Sequence, residues 1–326
     1  MRRREFITLL GGAAAAWPLA ARAQQTMPVI GFLGSGSQES DAIRVNSFRW
    51  SLSETGFVEG RNVLIEYRFA QGQHDRLPAL AAELVRHHAA VIITGSTPGA
   101  LAAKAASTTT PIVSYLAVDP VEVGLIASLN RPGGQLTGVT SLGVMLGPKQ
   151  LDLAHELVPG ATSMALLLNP SSPTLAEPQS RDVHAAARTL GLKLHVLHAS
   201  TDRDLDTVFA TLPQLQAGAL VIGTDAFFSS RSEQLAALTI RHAVPAIYQY
   251  RDFVTAGGLM SYGSSLADAY RQVGIYAGKI LQGTQPGDLP VQQAVKVEMV
   301  INLKTAKALG VTIPLPLLGR ADEVIE

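Results

Sequence analysis

The feature that most constrains this chain is a set of short, unbroken apolar runs separated by helical stretches. The runs fall at 29–33, 91–93, 164–168, 220–222 and 246–248. They are continuous rather than alternating, as in parallel strands covered on both faces. Between them lie stripes at i, i+3, i+4 and i+7 spacing. Leu77, Leu80, Ala81, Leu84 and Val85 form one, with Asp75 as its expected N-cap; Leu205, Val208, Phe209 and Leu212 form another after Thr201. Leu266, Ala269, Tyr270, Val273, Ala277 and Ile280 form a third. Strand then helix, repeated, predicts a doubly wound α/β sheet. The pattern runs once from Met27 to about Ser141 and restarts near Pro148, so two Rossmann-like lobes are expected.

The turn-rich stretch from 130–134 to Gly147 and Pro148 reads as the first join between lobes, and 257–263 as a second crossing. The expected division is 24–145 with about 263–290 in lobe 1 and 146–262 in lobe 2. The tail, 291–326, is assigned to neither.

The first residues read as an address. Arg2, Arg3 and Arg4 precede an apolar Gly/Ala-rich stretch that ends in Ala21-Arg22-Ala23, a small-x-small cleavage site. This is an export signal over 1–23, of twin-arginine-like order, and its apolar run is shorter than the ~20 residues a membrane span needs. The chain has no cysteine, so a lipid-anchoring cysteine, disulfides and thiolate chemistry are excluded. Cleavage would remove four arginines and one glutamate from 26 basic and 26 acidic residues, leaving a net charge of −3. That gives no electrostatic case for nucleic acid. The expected location is the periplasm, in soluble form without a lipid anchor.

Open α/β sheets bind ligands beyond the carboxyl ends of their strands, so function is sought in those loops. Ser35, Gly36 and Ser37 follow the first strand and offer backbone N–H groups and hydroxyls to an anion. Ser96 and Thr97 follow a later strand ahead of Pro98, with Thr97 the expected N-cap of the next helix. Tyr115 closes a strand at 112–115, and Asp119 lies in the loop beyond it. Asn169 ends the strand at 163–168, and Thr224 and Asp225 follow 219–222. Asp225, just past a buried strand, is the leading cation acceptor of lobe 2. Tyr248 or Tyr250 would supply an aromatic wall or a hydroxyl, and Tyr262 completes the candidate set.

No nucleophile elbow, phosphate-binding loop or zincin motif occurs, and the eight histidines show no metal-ligand spacing. No catalytic residue, metal or cofactor is therefore expected. An exported hydrolase or isomerase using Asp119 and Asp225 is the enzymatic alternative. A ligand-sensing module for a membrane receptor is the other.

The run 129–139 (LNRPGGQLTGV) resembles the crossing segment of the ABC transporter substrate-binding family that includes tryptophan- and tyrosine-binding members. So do 98–106, 111–113, Asp119-Pro120, 257–263, 300–306 and the end, 320–326. The resemblance spans essentially the whole chain after the signal. It implies a type I periplasmic binding fold with a hinge, a small-molecule ligand, and an importer permease and ATPase as partners of a monomer. Aromatic amino-acid binders of the family often carry Thr-Asp-Asn where this chain has Thr224-Asp225-Ala226. For an amino-acid ligand, the carboxylate is expected at Ser96 and Thr97 and the ammonium near Asp225 or Asp119.

Overall fold

The computed structural model describes residues 27–294 and 296–326. The export signal expected at 1–23 lies outside them.

The first half of the chain alternates β1 (Val29–Gly34), α1 (Ala42–Glu54), β2 (Leu64–Phe69), α2 (Leu77–Arg86), β3 (Val91–Thr94), α3 (Thr97–Ala106), β4 (Ile112–Leu116) and β5 (Leu136–Thr140). The second half runs α4 (Gly147–Leu157), β6 (Ser163–Leu168), α5 (Pro173–Thr189), β7 (Lys193–His198), α6 (Asp202–Leu215), β8 (Leu220–Ile222), α7 (Ala226–Ser229), α8 (Ser232–Arg241), β9 (Ala246–Tyr248), α9 (Arg251–Thr255) and β10 (Met260–Ser264). The chain ends with α10 (Leu266–Leu281), β11 (Gln292–Gln293), β12 (Val297–Asn302), α11 (Leu303–Ala308), α12 (Leu315–Leu318) and β13 (Glu323–Ile325).

These strands make two sheets, ordered β11-β5-β4-β3-β1-β2 and β13-β12-β10-β9-β8-β6-β7. Every pairing between them is parallel except β10 with β12. The central strands β1, β3, β4, β6, β8 and β9 are buried almost throughout, as their continuous apolar runs require. The edge strands β2 and β7 are half-exposed and carry mixed sequence.

The chain passes between the sheets three times. It leaves the first after β5, returns after β10, and leaves again after β11. The turn-rich run at 130–134 therefore precedes β5 and lies within the first lobe, and the crossing itself is at 141–147. The 257–263 segment leads into β10, the last strand of the second lobe before the return. On that return, α10 lays Tyr270, Val273, Tyr276 and Ala277 into the core formed by Phe32, Phe48 and Leu52. The tail divides, β11 joining the first sheet, β12 and β13 the second.

Two expected helix starts are corrected. A short 3-10 turn at His74–Arg76 puts Arg76, not Asp75, ahead of α2, without a side-chain cap. Ser96, not Thr97, caps α3, because its extended backbone (φ −160°, ψ 158°) aims Oγ at the Gly99 N–H. Thr201 caps α6 in a capping box with Asp204.

In each lobe a glycine of the strand that precedes the first departure of the chain, β5 or β10, presses against the neighbouring backbone. A Cβ on Gly138 would lie 1.9 Å from the Ser114 carbonyl oxygen, and one on Gly263 would lie 1.8 Å from that of Gln249.

A candidate ligand site in the interlobe cleft

The two strand-end rims face each other and enclose a crevice lined by both lobes. Ser35, Gly36, Arg44, Ser96, Thr97 and Tyr115 come from the first lobe, and Leu175, Thr224, Asp225 and Tyr250 from the second. It encloses about 470 Å³ of non-atom space, solvent at its mouth included. Side-chain contacts join the two lobes beside it.

In the first lobe, β1 delivers Ser35 and β3 delivers Ser96, and their hydroxyls meet at 2.5 Å. Ser96 also caps α3, so the hydroxyl pair sits at the positive end of that helix. Thr97 turns its hydroxyl to the Ala117 N–H at 3.3 Å, tying the β4 loop to α3. Beside them Arg44, on the buried stripe of α1, donates through Nη1 to Asp41 Oδ1 at 2.7 Å and to the Ser40 carbonyl at 3.0 Å. Burial works against the Arg44 charge, but Asp41 and the more distant Asp252 of the second lobe hold its pKa above the ordinary value. Both of its hydrogen bonds among the described residues use Nη1.

In the second lobe, Asp225 ends the loop after β8 and caps α7. Its Oδ1 accepts from Phe227 N–H and Asn169 Nδ2, each at 2.8 Å. Its Oδ2 is enclosed and has no partner among the described residues. A buried carboxylate oxygen left unpaired is costly, and here it belongs to a residue that lines the crevice. At the hinge end, the Tyr115 hydroxyl lies 3.3 Å from that of Tyr250 and 3.0 Å from Ser264 Oγ. Burial pushes the Tyr250 phenol well above its usual pKa, so it stays protonated and can donate. On the neighbouring crevice, His74 of the first lobe reaches Ser172 of the second, Nδ1 to Oγ 2.7 Å, with Nε2 3.8 Å from Asp225 Oδ1.

The structure thus brings Ser35, Gly36, Ser96, Thr97, Tyr115, Thr224 and Asp225 together from the expected set. Asn169 supports Asp225 and lines the neighbouring crevice instead. Ser37 exchanges hydrogen bonds with Ser40 on the cleft's flank. Asp119 accepts from the Val121 N–H at 2.8 Å, closing its own turn outside the cleft. Tyr248 is fully buried in the second lobe, stacked on Phe253 and bonded to Thr239 at 3.0 Å. Tyr262 packs against the core on β10, and its carbonyl accepts from Gln150. Of the two tyrosines weighed after 246–248, Tyr250 is the one at the cleft. The sequence reading missed Arg44 and His74. The signal for Arg44 was a charge on the same stripe as Phe48 and Leu52, three residues after Asp41.

Among the described residues, no group of three or more His, Asp or Glu could hold a metal ion, and no helix is long and apolar enough to cross a membrane.

Residues 37–325 match the family model described as ABC transporter substrate binding protein. A tyrosine-binding protein of Clostridioides difficile (strain R20291) is 27% identical over 259 residues, 79% of this chain and 74% of that protein. Among solved structures, a conserved domain protein from Vibrio cholerae O1 superposes with a TM-score of 0.84 at 25% identity, over 92% of this chain and all of that one. An ABC domain from Streptococcus pneumonia in complex with L-Trp superposes with a TM-score of 0.79 at 23% identity, over 91% of this chain and all of that one.

Proposed function

The chain belongs to the ABC transporter substrate-binding protein family, and from that premise we propose that it captures a small polar or carboxylate-bearing ligand in the periplasm and delivers it to an ABC importer. An amino acid is the leading candidate. The lobes close on the ligand by hinge motion and present it to the permease as a closed monomer. The observation that carries this reading is Asp225, a buried carboxylate with an unpaired Oδ2, facing the Ser35–Ser96 hydroxyl pair across a cleft made by both lobes. A cationic group on the ligand would satisfy Asp225, and an anionic group would take donors from Ser35, Ser96 and Thr97. Because the two walls belong to different lobes, a ligand touching both stabilises the closed form over the open one. The reading assigns no chemistry to the site.

The test is a thermal-shift screen of residues 24–326, stripped of ligand by unfolding and refolding. The panel holds amino acids, aromatic acids, dicarboxylates, purines, sugars and short peptides. A ligand at about a hundred times its Kd stabilises by roughly 2.7 kcal/mol, a shift of several degrees. One coherent hit class, recovered unchanged by mass spectrometry, is expected. Conversion of the hit to a product would replace the binder with an enzyme.

A further inference from the structure

We infer that the Tyr270 hydroxyl is a further anchor for the ligand of this cleft, contributed by the helix that returns from the second lobe. The inference rests on the substrate-binding reading above and adds a binding residue to it.

The first ground is an unused hydroxyl. Tyr270 belongs to the apolar stripe of α10, and its ring lies in the first-lobe core, 5.9 Å from the Tyr115 ring and 6.5 Å from that of Phe32. The residue is fully buried, yet its hydroxyl has no hydrogen-bond partner among the described residues. A buried hydroxyl left unpaired costs stability that a phenylalanine in its place would not. The other two phenols at this end of the cleft are engaged. Tyr115 and Tyr250 meet each other, and Ser264 holds Tyr115 from β10. Of the three, Tyr270 is the one whose oxygen is unclaimed.

The second ground is where that oxygen points. A Cβ on Gly95 would collide with it, while lying 3.7 Å from the ring carbon that carries it. Only the missing side chain at 95 leaves the hydroxyl its space. Gly95 lines the cleft, between the end of β3 and Ser96. Asp41, Arg44 and Tyr115 line it too, and all three lie close enough to act on the Tyr270 phenol electrostatically. Burial outweighs them and pushes its pKa up, so the hydroxyl stays protonated. It can donate to a carboxylate oxygen or accept from an N–H. Through it the returning helix, and not the strand ends alone, takes part in recognition.

The experiment compares the protein with Tyr270→Phe, which removes one oxygen and keeps the ring. Both are stripped of ligand. Both are then titrated calorimetrically with L-tyrosine, L-tryptophan, L-alanine, L-glutamate and the strongest-binding member of the panel above. For the tightest binder, affinity should fall about tenfold or more in the variant. The melting temperature of the empty variant should stay equal or rise. An affinity unchanged by the substitution would overturn the inference and leave the substrate-binding reading in place. A loss of affinity matched by a drop in the melting temperature of the empty variant would overturn it too, as the mark of a structural role. Absence of any binder would remove the reading and the inference together. A second pair of variants checks the geometry. Gly95→Ala should lower the melting temperature, and adding Tyr270→Phe should restore it, since the methyl then meets only the ring carbon at 3.7 Å. Failure of that rescue would place the hydroxyl away from the cleft wall and overturn the inference.

Discussion

In the first lobe, the strand ends that reach the cleft carry hydroxyls and a helix start, and α1 adds a guanidinium; in the second, the matching strand ends carry a carboxylate and a phenol. The scaffold beneath shares five parallel strands in corresponding order, down to the glycine that the fifth presses onto its neighbour. The difference also lies in how finished each wall is. Ser35 and Ser96 bond to each other, and Arg44 has Asp41, so the first wall is largely self-satisfied. Asp225 is half-satisfied, one oxygen saturated and the other bare. The second lobe therefore has more to gain from a ligand. Affinity should depend more steeply on the second wall than on the first.

The largest expected effect tests the shared scaffold. Gly138→Ala would set a methyl 1.9 Å from the Ser114 oxygen, at a backbone φ of +144° that side chains rarely adopt. A loss of about 3 kcal/mol or more is expected. Gly263→Ala should cost as much if the lobes are mechanically equal, and chemical denaturation of both variants would show it.

Next comes the bare carboxylate. Asp225→Asn keeps a residue able to cap α7 but removes the charge. Affinity for the ligand found in the screen should fall about a hundredfold, the ~2.7 kcal/mol within the range for losing a charged partner in a buried site. The melting temperature of the empty protein should change little. An unchanged Kd would end the assignment of Asp225 to the ligand.

On the opposite wall, Ser96→Ala should cost about tenfold in affinity and about 1 kcal/mol in stability, since the same oxygen caps α3. If it weakened binding more than Asp225→Asn, the ranking of the two walls would be reversed.

The smallest effect belongs to the His74–Ser172 contact between the lobes. His74→Ala removes the hydrogen bond to Ser172, worth about 1 kcal/mol of the closed form. Stopped-flow measurements should find ligand release about fivefold faster and capture unchanged. Slower capture would instead place His74 on the entry path.

Much of this arrangement was legible in the sequence because buried parallel strands write their positions as unbroken apolar runs. The strand ends located Ser35, Ser96, Thr224 and Asp225. The half-exposed edge strand β2 left no such mark. The tyrosine after β9 stayed ambiguous, since both candidates flank the strand's end. Tyr248 is its last residue and stays in the core, whereas Tyr250 lies beyond it, where α/β sheets open their crevices. Arg44 and His74 were hidden for a different reason. Neither follows a strand directly. Arg44 reaches the cleft from the body of α1, and His74 from a turn that matters only once the second lobe is opposite it.

The three passages of chain between the sheets also bear on how the molecule is made. The first sheet receives its edge strand at Gln292–Gln293 and its covering helix at Leu266–Leu281, long after the second sheet has begun at Ser163. Neither lobe is a contiguous piece of sequence, so neither can finish folding while the chain is still short. During synthesis, which otherwise favours folding of N-terminal domains first, the first lobe must wait with Phe32, Phe48 and Leu52 uncovered until α10 arrives. Truncation between the start of the second sheet at Ser163 and residue 293 would leave two incomplete lobes rather than one sound one.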